Sequence, residues 1–146
     1  MTIPVTGAIP QIIFAGECAD AIALYTQVLQ ARVEGVVHYR DMPGGGPIAE
    51  RGGWYAHAEV HIGSAMIMVA DNVFCDRVSP MPAHAEGRGT VHLAFSDPDA
   101  LREIFPRLAE GGRVIMAPHD TFWGAVYGSL VDRYGVGWDF HHQKQG

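Results

Sequence analysis

Three histidines and two carboxylates sit at spacings that could do chemistry. His57, Glu59 and His61 alternate along the stretch HAEVH. Alternate residues of a strand share one face about 7 Å apart, so three such ligands could converge on one divalent ion. The same alternation equally describes the solvated face of an antiparallel strand whose apolar face carries Ala58, Val60 and Ile62, with His57 alone lining a pocket. Near the C-terminus Asp139 and His141 repeat the spacing. Such a pair either binds metal or holds a proton-transfer imidazole in orientation. His142 falls on the opposite face.

Phe122, Trp123 and Tyr127 cluster around Gly124. They are expected on a pocket wall, where rings give apolar area and the indole N–H and phenol O–H donate to a bound oxygen. Plain core packing is the alternative. Cys18 lies near a helix start, where the dipole lowers a thiol pKa, but it has no base partner in sequence and is expected to be buried. Ser64 and Ser129 lie outside any GxSxG elbow. No phosphate-binding or dinucleotide-binding glycine pattern occurs, and no strand-to-helix glycine loop of the methyltransferase kind. No residue is assigned as catalytic.

The elements that must position these groups come twice. Ile9 to Ala15 reads as a strand ended by Gly16, and Ala19 to Gln30 as a helix with Ile22, Tyr25, Val28 and Leu29 on one face. Strands follow at Val33–Tyr39, Trp54–Ile62 and Ala65–Ala70, the last two joined by a hairpin turn at Gly63-Ser64. The run Gly44-Gly45-Gly46-Pro47 reads as a flexible loop, and Asp41-Met42-Pro43 as either a mobile lip or a loose hairpin. In the second half Thr90–Phe95 is a strand. Asp97-Pro98 starts a helix, with Asp as N-cap and Pro in the first turn. Leu101, Ile104, Phe105 and Leu108 give its stripe, and Pro106 is expected to distort its last turns. Strands beginning at Arg113, Val126 and Gly137 complete the order. Ile22 aligns with Leu101 and Leu29 with Leu108, a repeat at offset 79.

Each half is thus β-α-β-β-β. The expected fold class is α+β, a single domain over 1–146 with modules at about 8–72 and 88–142. The two modules pair their mixed, largely antiparallel sheets into a curved cup with the helices outside. A small-molecule ligand would sit in the concavity.

Composition narrows the partners. Ten basic residues against sixteen acidic ones give a formal charge of -6, which repels nucleic acid. No apolar run approaches the ~20 residues of a membrane span. Met1-Thr2-Ile3-Pro4 lacks the layout of a signal peptide. Cys18 and Cys75 are isolated and read as reduced thiols, so a cytoplasmic location is expected.

Several stretches together resemble the vicinal oxygen chelate superfamily of glyoxalases, bleomycin-resistance proteins and extradiol dioxygenases, and within it the PhnB-like branch. They are Gly16-Glu17-Cys18-Ala19-Asp20-Ala21-Ile22 through Tyr25, Asp41-Met42-Pro43-Gly44-Gly45, and His57-Ala58-Glu59-Val60 with Ile62-Gly63. Later come Asp120-Thr121-Phe122-Trp123-Gly124 with Tyr127-Gly128, and Asp132-Arg133-Tyr134-Gly135 leading to Trp138. The likeness runs from about Ile9 to His141.

The resemblance implies a metal site with one ligand from the first and one from the last strand of each half. Carried across, these positions are His92 and Asp139 in the second half. In the first half they are Gln11 and a last-strand position near Met66 or Met68, where a thioether suits a hard ion poorly. A site of His92, Asp139 and Gln11 implies one divalent metal, Zn, Ni, Fe or Mn. The alternative is no metal, with His92 a pocket histidine beside Met66, Met68 and His141. The implied function is small-molecule binding, as a metal-dependent lyase, isomerase or related enzyme acting on vicinal oxygens, or as a metal-free protein that sequesters a drug or metabolite. Methyl transfer is not expected. Members of the superfamily often complete their pockets across a two-fold interface, so a homodimer is expected.

Overall fold

Apolar residues three and four apart make α1 (Cys18–Leu29) amphipathic, and it buries Ala21, Ile22, Leu24, Tyr25 and Val28. Its counterpart α2 (Pro98–Ala109) buries Leu101, Phe105 and Leu108. In this computed structural model, which describes residues 4–75 and 89–145, each helix belongs to one βαβββ module. The expected module start at 88 and the N-terminal residues 1–3 lie outside the described residues.

The chain divides into two compact units, Met1–Ser79 and Pro80–Gly146. In the first, β1 (Gln11–Phe14), β2 (Arg32–His38), β3 (Tyr55–Ile62) and β4 (Ala65–Asp71) form a sheet of order β1-β4-β3-β2. In the second, β5 (Val91–Ala94), β6 (Arg113–Asp120), β7 (Ala125–Val131) and β8 (Gly137–Gln143) repeat it as β5-β8-β7-β6. Within each, the outer first strand runs parallel to the last and the other pairings are antiparallel. Both sheets are therefore mixed.

Each sheet buries one face. Ala58, Val60, Ile67 and Val69 are buried in the first, and Leu93, Leu130, Trp138 and Phe140 in the second. The Phe105 ring meets Phe140 edge-on at 5.0 Å, so α2 covers the face that carries Phe140. Gly128 lies under the same ring, where a Cβ would stand 2.9 Å from Phe105. Truncating a buried residue such as Leu101 to Ala would cost about 2–5 kcal/mol.

Buried carboxylates tie down the turns. Asp132 is fully buried and accepts from the Tyr134 and Val136 amides and from the Trp138 indole. Asp71 accepts from the Gly16, Cys18 and Tyr55 amides, so the start of α1 is satisfied from the end of β4. The expected N-cap at Asp97 is present, accepting from the Asp99 amide at 3.0 Å.

Three details differ from the sequence-based reading. The helices open at Cys18 and Pro98, an offset of 80, which superposes buried Ala21, Tyr25 and Val28 on Leu101, Phe105 and Leu108. Leu29 is only half-buried and is not the partner of Leu108. Helix α2 runs on through Pro106 to Ala109; Pro106 and Arg102 four residues earlier are both exposed, so the carbonyl left without an amide can meet water. Strand β6, which begins at Arg113 as expected, runs to Asp120 across Pro118, which an edge strand tolerates. The glycine-rich loop holds three 3-10 turns, at Tyr39–Asp41, Pro43–Gly45 and Ala49–Arg51. Arg51 fastens it by donating to the Val73 and Cys75 carbonyls.

Among the described residues, no helix is long and apolar enough to cross a membrane.

Candidate functional site

Strand alternation turns Tyr127, Ser129, Asp139 and His141 away from α2, because Gly128 and Phe140 point toward it. The parallel register sets His92 beside Asp139 and Ala94 beside His141. Two rows of side chains result across the strands. One is Met116, Ser129, Asp139 and His92; the other is His119, Tyr127, His141 and Ala94.

Asp139 is the hub. Its Oδ2 accepts from Thr90 Oγ1 at 2.8 Å and its Oδ1 from the Tyr127 hydroxyl at 3.2 Å. His92 Nδ1 lies 4.0 Å from Oδ2, within electrostatic reach but beyond a hydrogen bond. The Asp139 side chain keeps 20% of its exposure while that of His92 keeps 54%, so the imidazole is the more accessible of the two. The His141 ring lies 5.4 Å from that of His92, and the His119 ring meets Tyr127 edge-on at 6.2 Å. Burial, then the Asp139 charge and its hydrogen bond, push the Tyr127 phenol above its ordinary pKa, against a smaller opposing hydrogen bond with Ser129.

The first unit carries the matching row with different chemistry. Gln11 pairs with Met68, Met68 with Glu59, and Glu59 with Glu34. Gln11 and Met68 thus occupy the positions of His92 and Asp139, an amide and a thioether where the second unit has an imidazole and a carboxylate. Met66 pairs with His61, and His57 pairs with Val37. His57 Nε2 lies 3.9 Å from Glu59 Oε2.

These donors bear on the metal that the resemblance implies. Within the second unit they amount to one imidazole and one carboxylate, and both carboxylate oxygens already accept a hydrogen bond. Within the first they are an amide and a thioether. Within either unit the set falls short of the three hard or borderline ligands of an open catalytic centre, and His92 and Asp139 are the two donors of the implied set best suited to a divalent ion.

Phe122 and Trp123 lie in the β6–β7 turn, 97% and 50% exposed, their rings edge-on at 5.0 Å. Tyr127, by contrast, belongs to the Asp139 cluster. Cys18 is buried, and burial, reinforced by the charges of Asp71 and Glu17, drives its thiol pKa far up, against the lowering that a helix start alone would give. It is a packing residue. The sequence reading missed Thr90 and Glu34, which join their clusters across strands distant in the chain.

A profile of the Glyoxalase/Bleomycin resistance protein/Dioxygenase superfamily matches residues 7–140. Protein YjdN of Escherichia coli K12 is 28% identical over 145 residues, covering 93% of this chain and 95% of that protein. The crystal structure of protein PA1353 from Pseudomonas aeruginosa is similar at a TM-score of 0.80 and 28% identity, over 97% of this chain and 100% of that one. The PhnB protein from Bacillus cereus, described as a putative 3-demethylubiquinone-9 3-methyltransferase, matches at a TM-score of 0.72 over 94% of this chain and 99% of its own. At 18% identity it shares the fold alone.

Proposed function

Because the chain belongs to the glyoxalase/bleomycin resistance protein/dioxygenase superfamily, we propose that it binds a small molecule bearing adjacent oxygens on the face of its second sheet turned away from α2. Asp139 supplies the fixed charge and His92 the group that meets the ligand. The observation that carries this reading is the hub itself: a carboxylate held by Thr90 and Tyr127 beside a more exposed imidazole.

The chemistry follows from orientation. Asp139 lies on the Nδ1 side of His92, so Nε2 is the ring nitrogen left to meet a ligand hydroxyl. His141, in ring contact with His92, offers a second imidazole to the neighbouring oxygen. Tyr127 stays protonated at neutral pH and keeps Asp139 oriented, so the carboxylate does not swing to the ligand. Phe122 and Trp123 add apolar surface at the turn that opens β7. Methyl transfer has no support in these residues.

Ligand-observed NMR tests the reading, on tag-free protein in chelator-treated buffer with a panel of catechols, 2-hydroxy acids and 2-oxo aldehydes. Binding should appear for at least one class and be lost in His92→Ala and Asp139→Asn. Persistence of the bound compound marks a sequestering protein, and its conversion marks an enzyme. Binding indifferent to both substitutions, or none across the panel, would end the proposal.

A further inference from the structure

A second cluster of chemistry-bearing side chains lies in the first unit, where β2 meets β3. Its members are Glu34, Glu59 and His61, whose ligand atoms all lie within 4.8 Å of one another. His61 Nε2 is 3.2 Å from Glu34 Oε2 and 3.3 Å from Glu59 Oε1. Among the described residues it is the one group of three such ligands gathered this closely.

We propose that this cluster is a divalent cation site, selective for a first-row transition ion of the Zn²⁺ type. Three observations support it. Two ligand atoms about 2.1 Å from one ion at a tetrahedral angle lie about 3.4 Å apart, close to the separations found here. Glu34 and Glu59 are direct partners across the antiparallel β2–β3 pair, an arrangement that like charges make unfavourable unless a cation compensates. His61 Nε2 carries one proton or one lone pair, so it cannot satisfy both carboxylates at once. Arg32, the direct cross-strand partner of His61, lies 3.7 Å from Glu34 Oε1 and neutralises only part of the charge of the two carboxylates.

The backbone is shaped to let the carboxylates meet. The β2–β3 register shifts between Glu34 and Val37, and Gly35 takes a φ of +63° in that bulge. A Cβ at Gly35 would stand 3.0 Å from Glu59 Oε2, so a larger residue would displace that carboxylate. One imidazole with two carboxylates suits Zn²⁺, Ni²⁺ or Mn²⁺ better than the oxygen-only preference of Mg²⁺ or Ca²⁺. Partial exposure of all three side chains leaves coordination positions for water. The site is distinct from His92 and Asp139, and neither proposal rests on the other.

The test is calorimetric titration of Zn²⁺ into metal-stripped, tag-free full-length protein. One equivalent should bind, and Glu34→Gln and His61→Gln should each weaken it by at least about tenfold, in the range that disturbed metal sites show. His92→Ala, Asp139→Asn and His141→Ala should leave it unchanged. Glu34 stands on an edge strand with its side chain 56% exposed, so its substitution leaves the fold intact. Absence of binding in the native protein overturns the proposal. So does binding that ignores Glu34→Gln and His61→Gln, or that is lost only with the second-unit histidines. Because the small-molecule experiment runs in chelator, failure here leaves that reading standing.

Discussion

His92 and Asp139 stand opposite each other in the parallel pairing of β5 and β8, with Nδ1 4.0 Å from Oδ2. The carboxylate is nonetheless held by Thr90 and Tyr127 rather than by the imidazole. Asp139→Asn keeps an acceptor for one of these donors, so its effect on stability should stay within about 1 kcal/mol, while ligand binding is lost. Asp139→Ala strands both hydroxyls and should cost about 1–2 kcal/mol in urea denaturation.

Tyr127 should titrate late. Its pKa is raised in the folded chain by burial and by Asp139, so its stabilisation is complete below the ordinary tyrosine range and is lost as pH climbs through the folded value. Ultraviolet difference titration should show one phenol lagging the others above about pH 10, the ordinary tyrosine value. Tyr127→Phe should remove that component. A native curve identical to that of Tyr127→Phe would show that Asp139 leaves the phenol unperturbed.

The two thiols should separate kinetically. Cys18 is buried with its pKa raised, while Cys75 is partly exposed. A disulfide reagent at pH 8 should modify Cys75 in the native protein and Cys18 only after denaturation. Equal rates in the native protein would contradict the buried placement of Cys18.

Asp132→Ala removes the acceptor for two amides and one indole in a fully buried turn. The expected loss is about 3 kcal/mol by urea denaturation, since each stranded donor costs roughly 1–3 kcal/mol and relaxation recovers part. Asp132→Asn should lose less.

Strand β6 is an edge with three successive exposed apolar residues, Val114, Ile115 and Met116. An edge of this kind invites pairing. Sedimentation should find a homodimer of the 15.8 kDa chain, and Ile115→Lys should shift it toward monomer. A native monomer at micromolar concentration would remove the dimer.

Element order and type were readable because strand and helix periods are local. The helical register was not, because adjacent apolar pairs such as Ala21-Ile22 and Val28-Leu29 let a stripe be drawn one residue off. Only packing against the sheet decides which member faces inward. The cluster around Asp139 was readable in part for a similar reason. His92, Asp139 and Tyr127 were singled out, but Thr90 lies 49 residues from Asp139 in the chain and meets it through a parallel pairing that no local spacing encodes. Glu34 likewise reaches Glu59 only through the shifted register around Gly35.

The outer parallel strands carry a kinetic consequence. Within each unit three strands form a meander from neighbours in sequence, but β1 must find β4, and β5 must find β8, after the rest of the module has been made. Closing these long loops is an entropic toll collected before any contact repays it. The first strand of each unit should therefore dock last, with substitutions in β1 and β5 mainly speeding unfolding and those in the meanders slowing folding. His92 rides on one of those late strands, so the site face would be completed in the final step of its unit's folding and be first to open when the chain lets go.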